Sequence, residues 1–314
     1  MKIINYSYPM KTELKSIAVA LGFFDGVHVG HRRLISLLVR KAREKGLSPY
    51  IFTFADTLSK TKNTQSIIYN LDEKNKIFES LGVDGVIVAD FSSISNLSPE
   101  VFVRNALLED LDVSVALCGY NFRFGKNASA SSEDLVRLMR VNGRDAIVVD
   151  ECRIDGKALS TTVIRQLIKE KNLDEANKML GVPYFIEGVV ERGLGLGKSY
   201  GFPTLNLPVR ENSPLPIGVY RCAVQVDGAI YTAITNVGRC PTVKEREIHA
   251  EAMIADFDGD LYGKTVRIFF LAYLREEQTF SSIEKLREQI YLDKERSIKE
   301  NGDLKWLEIG PSLQ

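Results

Sequence analysis

Short apolar runs alternate with amphipathic segments over residues 16–150. The runs are SIAVALGFF, PYIFTF, DGVIVA, VSVALCG and DAIVV, and the segments at 31–45, 71–81, 99–109 and 132–142 have apolar residues at helical spacing. Short buried runs separated by helical patterns are typical of βαβ units, in which helices cover both faces of a parallel sheet. The first half is therefore predicted to be an α/β, Rossmann-like domain.

The pattern changes after two further predicted helices, at 160–170 and 173–180, with Ser160 and Asn172 suited to cap them. From YFIEGVVE onward the strands GVYRCAVQV, AIYTAITNV, HAEAMIADF and TVRIFFLAYL follow without helices between them, and Asp227-Gly228 is a strong hairpin signal. A last helix is predicted at 281–300. The second half is therefore predicted to be an antiparallel barrel or sandwich with a C-terminal helix. Gly181-Val182-Pro183 predicts the boundary between domains 1–182 and 183–314.

Length and charge narrow the class of protein. A chain of 314 residues is long enough for two domains. Lys plus Arg and Asp plus Glu both total 41, so no overall field attracts nucleic acid or an anionic membrane. The N-terminus lacks the apolar core of a signal peptide, and no apolar run is long enough for a membrane span, so we expect a cytoplasmic protein. The cysteines are scattered without a C-x-x-C pair, which favours reduced thiols: Cys118, Cys152, Cys222 and Cys240.

The stretch DGVHVGHRRL holds two of the three histidines, His28 and His31. It follows the first strand of the predicted sheet, where ligands bind in open parallel sheets. Gly22, Gly26 and Gly30 let the backbone approach a ligand, and free N–H groups at a helix start attract phosphate. The pair is therefore expected to donate hydrogen bonds to a polyphosphate. A structural role or a metal pair is the alternative, but zinc needs further ligands and only one other histidine exists.

This H-x-G-H after a strand resembles the signature of nucleotidyltransferases. GFFDGVHVGH further resembles the first motif of the bacterial bifunctional riboflavin kinase and FAD synthetase family, and CGYNFRFGKNAS and LSTTVIRQLI fall where that family has its flavin-site and S-S-T-x-I-R motifs. The resemblance implies that His28 and His31 are catalytic in transfer of AMP from ATP to FMN. It implies ATP contacts from Gly22, Phe24, Asp25, Gly30, Ser160, Thr161 and Arg165, and flavin contacts from Asn121, Phe122, Arg123 and Phe124. Taken alone, Ser160 fits a helix cap and Phe122 and Phe124 fit a core.

The second half has a glycine-rich stretch, RGLGLGKSYGFPTLN at 192–206, which suits phosphate binding but also a plain turn. Together with GVY, NVGRCPT, EAMIADFDGDLYG and LREEQTF it resembles, in order, the riboflavin kinase module, a small β-barrel with a terminal helix. The resemblance implies that Glu251 is the general base for the riboflavin 5′-hydroxyl and that Thr204 and Asn206 hold Mg²⁺. It also implies ATP contacts from Gly195, Gly197, Lys198, Pro203 and Thr204, and a flavin contact from Arg275. Alone, Glu251 fits a half-exposed carboxylate on a strand.

The resemblance spans residues 16–295 and includes several departures from the family pattern. They are Phe23 for Asn, Ala55-Asp56-Thr57 for a Pro-His-Pro-like stretch, Asn121 for Asp, Val163 for Arg, Leu205 for Ala and Met253 for His. The function expected is phosphorylation of riboflavin to FMN, then adenylylation of FMN to FAD and pyrophosphate, with ATP and Mg²⁺. Alternatives are a single active module, a nucleotidyltransferase with another phosphate acceptor, or a non-catalytic flavin-binding regulatory protein. The expected partners are small molecules, with neither nucleic acid nor membrane.

Overall fold

The computed structural model of the chain describes residues 1–55, 66–192, 202–239, 248–302 and 304–307. These residues fall into two compact units, the first within Met1–Gln65 and Tyr69–Thr161, the second within Ser66–Ile68 and Thr162–Gln314. The two helices predicted at 160–180 thus have most of their contacts in the second unit. The boundary at 182/183 was placed from motifs and helix-ending residues, and it stays a prediction.

The first unit contains a six-stranded parallel sheet, as predicted. Its strands are β1 (Lys2–Tyr6), β2 (Ile17–Leu21), β3 (Ser48–Phe54), β4 (Gly85–Ala89), β5 (Val113–Gly119) and β8 (Asp145–Val149), in the order β1-β4-β3-β2-β5-β8. All residues of β2 and β4 are buried, which accounts for their unbroken apolar runs, because a parallel sheet is covered on both faces. Sequence reasoning missed β1, whose mostly exposed edge position gives it no such run. Two short pairs complete the unit, β6 (Arg123–Phe124) with β7 (Ala130–Ser131) and β9 (Arg153–Ile154) with β10 (Lys157–Ala158).

Helices follow most of the strands. They are α1 (Val29–Glu44), α2 (Leu71–Ser80), the short α3 (Phe91–Ile94) and α4 (Pro99–Val101), and α5 (Ser132–Val141), with a 3₁₀ turn at Lys126–Ala128. Capping boxes begin α2, at Asn70 with Glu73, and α5, at Ser131 with Asp134. The segment predicted as a helix at 99–109 is a π-helix over Phe102–Asp110, a distinction that helical periodicity does not reveal.

The second unit is built on an antiparallel sheet that closes almost completely into a barrel. Its strands are β11 (Tyr184–Val189), β12 (Leu205–Val209), β13 (Gly218–Val226), β14 (Ala229–Arg239), β15 (Ile248–Ile254) and β16 (Thr265–Arg275), in the order β11-β16-β13-β14-β15-β12. The Glu191 amide donates to the Asn206 carbonyl at 2.9 Å and links the two edges. Asp227 and Gly228 both have positive φ, 48° and 89°, as a two-residue hairpin turn requires. The barrel alternative is therefore the correct one.

Helices pack around this barrel. They are α6 (Thr161–Lys169), α7 (Leu173–Leu180) and α8 (Ile283–Asn301), followed by a 3₁₀ turn at Leu304–Leu307. Gly181 ends α7 in the left-handed conformation, as its position predicted. The buried residues of α8 are the polar Asp293, Ser297 and Asn301, spaced four apart, so one polar stripe of this helix faces the barrel.

Candidate functional site

His28 and His31 lie at the start of α1, directly after the turn that follows β2. His28 is the N-cap residue, and its Nδ1 accepts a hydrogen bond from the His31 amide at 3.3 Å. The two imidazole rings are stacked, with centroids 3.6 Å apart and planes 14° apart. His28 therefore has the capping role that a structural reading gives it, while its other ring nitrogen stays available.

Burial keeps both rings neutral. It lowers the pKa of His28 to about 4 and the pKa of His31 well below its ordinary value, where the neighbouring His28 adds to the effect. A neutral imidazole that accepts at Nδ1 has its proton on Nε2, so His28 is a hydrogen-bond donor at that atom. The first turn of α1 has no acidic residue, so nothing there offsets the positive end of the helix dipole. This arrangement suits an anion without adding a formal charge.

The residues around the pair fix its shape. Phe24 is buried, and its ring meets His31 edge-on at 5.1 Å. A methyl group on Gly30 would lie 3.3 Å from both His28 Cε1 and Cys152 Cβ, so the helix start is already in close contact there. Of the other predicted ATP contacts in this segment, Gly22 lies against the Phe24 ring and Asp25 is buried.

The predicted flavin residues follow β5. Phe124 is buried, lies 5.6 Å from Phe102 and belongs to the core, as its alternative reading has it. Phe122 is half-buried and stacks on Phe124 at 5.7 Å, whereas Asn121 and Arg123 are exposed. Their contacts with flavin stay predictions.

The LSTTVIRQLI motif spans the division between the two units. Ser160 and Thr161 are half-buried residues of the first unit at the start of α6, while Arg165 is half-buried on α6 in the second unit, near the exposed Val163. Five predicted or departing positions and one cysteine fall outside the described residues: Gly195, Gly197, Lys198, Asp56, Thr57 and Cys240.

In the second unit, strand register brings three polar side chains together. Glu251 on β15 is directly opposite Asn206 on β12 and also directly opposite Asn236 on β14. Residues opposite each other in an antiparallel pair share one face of the sheet. The predicted base and one predicted metal ligand are therefore neighbours, although 45 positions of sequence separate them.

Two cavities lie beside these strands. One, of about 450 Å³, is lined by Pro203, Asn206 and the 257–262 turn with its carboxylates Asp258 and Asp260. The other, of about 390 Å³, is lined by Glu251, Asn236 and Arg275 at its polar side and by Phe202, Val219, Ile234, Met253, Phe280, Leu286 and Ile290. Thr204 belongs to the walls of both. A polar cavity and a largely apolar one thus share a wall beside Glu251.

Glu251 has the electrostatic character of a base. Desolvation raises its pKa, the nearby His249 lowers it, and the charge of Glu277 raises it further, with a net upward shift. A carboxylate with a raised pKa accepts a proton more readily.

Thr204 and Asn206 also fit the metal that the resemblance implies. Both offer neutral oxygen donors at the polar cavity, and Asn206 is buried. Mg²⁺ is usually held by only one or two protein groups together with substrate phosphates and water. No cluster of three or more His, Cys, Asp or Glu side chains suited to a metal occurs within the described ranges.

Several residues of this site were missed from the sequence. Arg275 donates from Nε and Nη2 to one Asp293 oxygen, at 3.0 and 2.8 Å, and Gln289 donates to the other at 3.0 Å. Asn236 donates to Glu277 at 3.0 Å. The Arg275–Asp293 and Asn236–Glu277 pairs join segments that are distant in sequence, so only LREEQTF and NVGRCPT, in which Arg275, Glu277 and Asn236 stand, hinted at them.

Both halves of the chain match known protein families. The family model described as FAD synthetase matches residues 10–163, and the model described as riboflavin kinase matches residues 180–300. Proteins named bifunctional riboflavin kinase/FMN adenylyltransferase match almost end to end. The one from Bacillus subtilis is 31% identical, over 95% of this chain and 98% of its own length, and the one from Listeria monocytogenes is 33% identical, over 94% and 96%.

A crystal structure named for a macrolide-efflux protein from Streptococcus pneumoniae has the same fold, with a TM-score of 0.83 and 28% identity, over 96% of this chain and all of that one. In the described part of this chain, no helix has the length and apolar character needed to cross a membrane. The matches in sequence cover both units and contain the histidine pair and the Glu251 strand. The chain therefore belongs to the bifunctional riboflavin kinase/FMN adenylyltransferase family.

Proposed function

We propose that the chain makes both flavin cofactors from riboflavin. The second unit phosphorylates riboflavin to FMN with ATP, and the site at His28 and His31 transfers AMP from a second ATP to FMN, giving FAD and pyrophosphate. The observation that supports this best is the junction of the polar and apolar cavities at Thr204, with Glu251 on the apolar side.

In the phosphorylation step the isoalloxazine ring of riboflavin occupies the apolar cavity and ATP phosphates occupy the polar one. Glu251 accepts the proton of the 5′-hydroxyl while that oxygen forms a bond to the γ-phosphorus and the bond to ADP breaks. Arg275, held by Asp293, borders the flavin. The cavities meet beside Glu251, so the protein's main contribution is to place the acceptor hydroxyl next to the phosphate.

In the adenylyl step an FMN phosphate oxygen attacks the α-phosphorus of ATP, and the bond to the β-phosphate breaks. The Nε2–H of His28 and the free amides at the start of α1 donate to the oxygens on which negative charge develops. Both imidazoles are neutral and serve as donors, so no covalent bond to the protein is needed.

Mg²⁺, held by Thr204 and Asn206, would neutralise phosphate charge in the second unit when bound. We also place the enzyme in the cytoplasm, with riboflavin, FMN and ATP as its small-molecule partners. Our assignment of residues 1–182 to the adenylyl reaction and 183–314 to the kinase reaction follows the two sets of motifs.

The test is to incubate the full chain with riboflavin, ATP and Mg²⁺ and to separate the flavins by chromatography. FMN and FAD are expected together. FMN alone would support the single-module alternative. Riboflavin binding without either product would support the regulatory alternative and overturn the proposal.

A further inference from the structure

Glu277 lies in the proposed kinase site, but the mechanism described so far gives it no role. It follows β16 and lines the apolar cavity at its polar side. Its Oε1 accepts a hydrogen bond from Asn236 Nδ2 at 3.0 Å, across 41 positions of sequence. Asn236 in turn is directly opposite Glu251. Glu277, Asn236 and Glu251 thus form a row across the end of the barrel.

The backbone makes room for this row. Gly238 is two residues after Asn236 on β14 and therefore on the same face of the strand. A methyl group built on Gly238 would overlap Oε1 of Glu277 and lie 3.1 Å from Asn236 Nδ2. Gly238 does not have a positive φ, so no backbone conformation requires a glycine there. The close approach of the Glu277 carboxylate is what the glycine permits.

The hydrogen bond fixes which way the Asn236 amide faces. Because Nδ2 donates to Glu277, the other amide atom, Oδ1, is the one left to accept from a hydroxyl group on the substrate side. The Arg275–Asp293 ion pair lines the same cavity.

We propose that Glu277 is a positioning residue of the kinase reaction, which orients the Asn236 amide toward the riboflavin polyol chain. The proposal rests on the proposed kinase function. It requires no contact between Glu277 and the reacting atoms.

Two variants test this orientation. Glu277→Gln keeps an oxygen acceptor for Asn236 Nδ2. Gly238→Ala keeps every functional side chain but displaces the carboxylate, and the fold tolerates this because the displaced atom is the end of a flexible side chain. Glu276→Gln is the matched control, because Glu276 pairs with Lys171 and does not line the cavity.

The assay measures kcat and KM for FMN formation from riboflavin, with thermal unfolding as a check that each variant is folded. Glu277→Gln should lose less kcat/KM than Gly238→Ala, because its amide oxygen can still accept from Asn236. Gly238→Ala should lower kcat/KM for riboflavin about tenfold or more, through the lost hydrogen bond to a charged group. Glu276→Gln should change neither quantity.

Two results would overturn the proposal: full activity of folded Gly238→Ala, or a Glu277→Gln variant that loses as much kcat/KM as Gly238→Ala. An equal loss in Glu276→Gln would also contradict it, since a general surface-charge effect would then explain the result. Failure of the kinase function itself is distinguishable, because the parent chain would then make no FMN.

Discussion

Replacing His28 by alanine and by serine separates its capping role from its catalytic one. Alanine removes the acceptor for the His31 amide, the stacked ring and the Nε2–H donor together. Loss of a cap costs about 1 kcal/mol, and loss of an aromatic stacking contact costs about 0.5–1.5 kcal/mol. The first unit should therefore lose about 1.5–2.5 kcal/mol in alanine, and serine, a good N-cap residue, should recover about 1 kcal/mol of that.

Activity should not follow stability in this pair. The His28 donor is absent from both variants, and loss of one such donor lowers turnover about 10²–10³-fold. Both should therefore lose FAD formation from FMN and keep FMN formation from riboflavin. Thermal unfolding and flavin chromatography measure the two effects. If serine restored FAD formation along with stability, His28 would be a helix cap and no more.

Three further changes test the other parts of the site. Desolvation raises the pKa of Glu251 in the folded chain, so the ionised carboxylate destabilises the fold above that pKa and has no effect at a pH below the ordinary pKa of Glu. Glu251→Gln should therefore be more stable to unfolding than the parent at pH 7 and equally stable at about pH 3. Gly30→Ala should displace His28 and lower FAD formation about tenfold or more, with FMN formation unchanged, in the same chromatographic assay. Asp293→Ala leaves Arg275 unpaired at a largely buried site, so it should destabilise the second unit by about 3 kcal/mol in denaturant unfolding and raise the KM for riboflavin.

The parts of the fold that periodicity revealed are those in which burial is regular. The unbroken runs of β2 and β4 and the Asp227-Gly228 turn have one physical explanation each, and all were predicted in place. Strand β1 was missed because an edge strand has few buried positions. The sequence predicted a helix over the π-helix at 102–110 but not its type, because the spacing of apolar residues over so few turns does not distinguish a π-helix from an α-helix.

The candidate site divides in the same way. His28, His31 and Glu251 were found because their motifs are local. The partners of Asn236, Glu277 and Asp293 are distant in sequence. Strand pairing, or the packing of a helix on the barrel, brings each partner within 3.0 Å, and a single sequence does not reveal such contacts. Phe124 is a buried core residue, and the flavin contact that its motif implies stays a prediction.

The central claim, that one chain has two independent flavin sites, is tested most directly by assaying Glu251→Gln and His28→Ser side by side with riboflavin and with FMN as the supplied flavin. Glu251→Gln should form FAD from FMN at the parent rate and almost no FMN from riboflavin. His28→Ser should form FMN from riboflavin at the parent rate and almost no FAD. Loss of both activities in either folded variant would contradict the account.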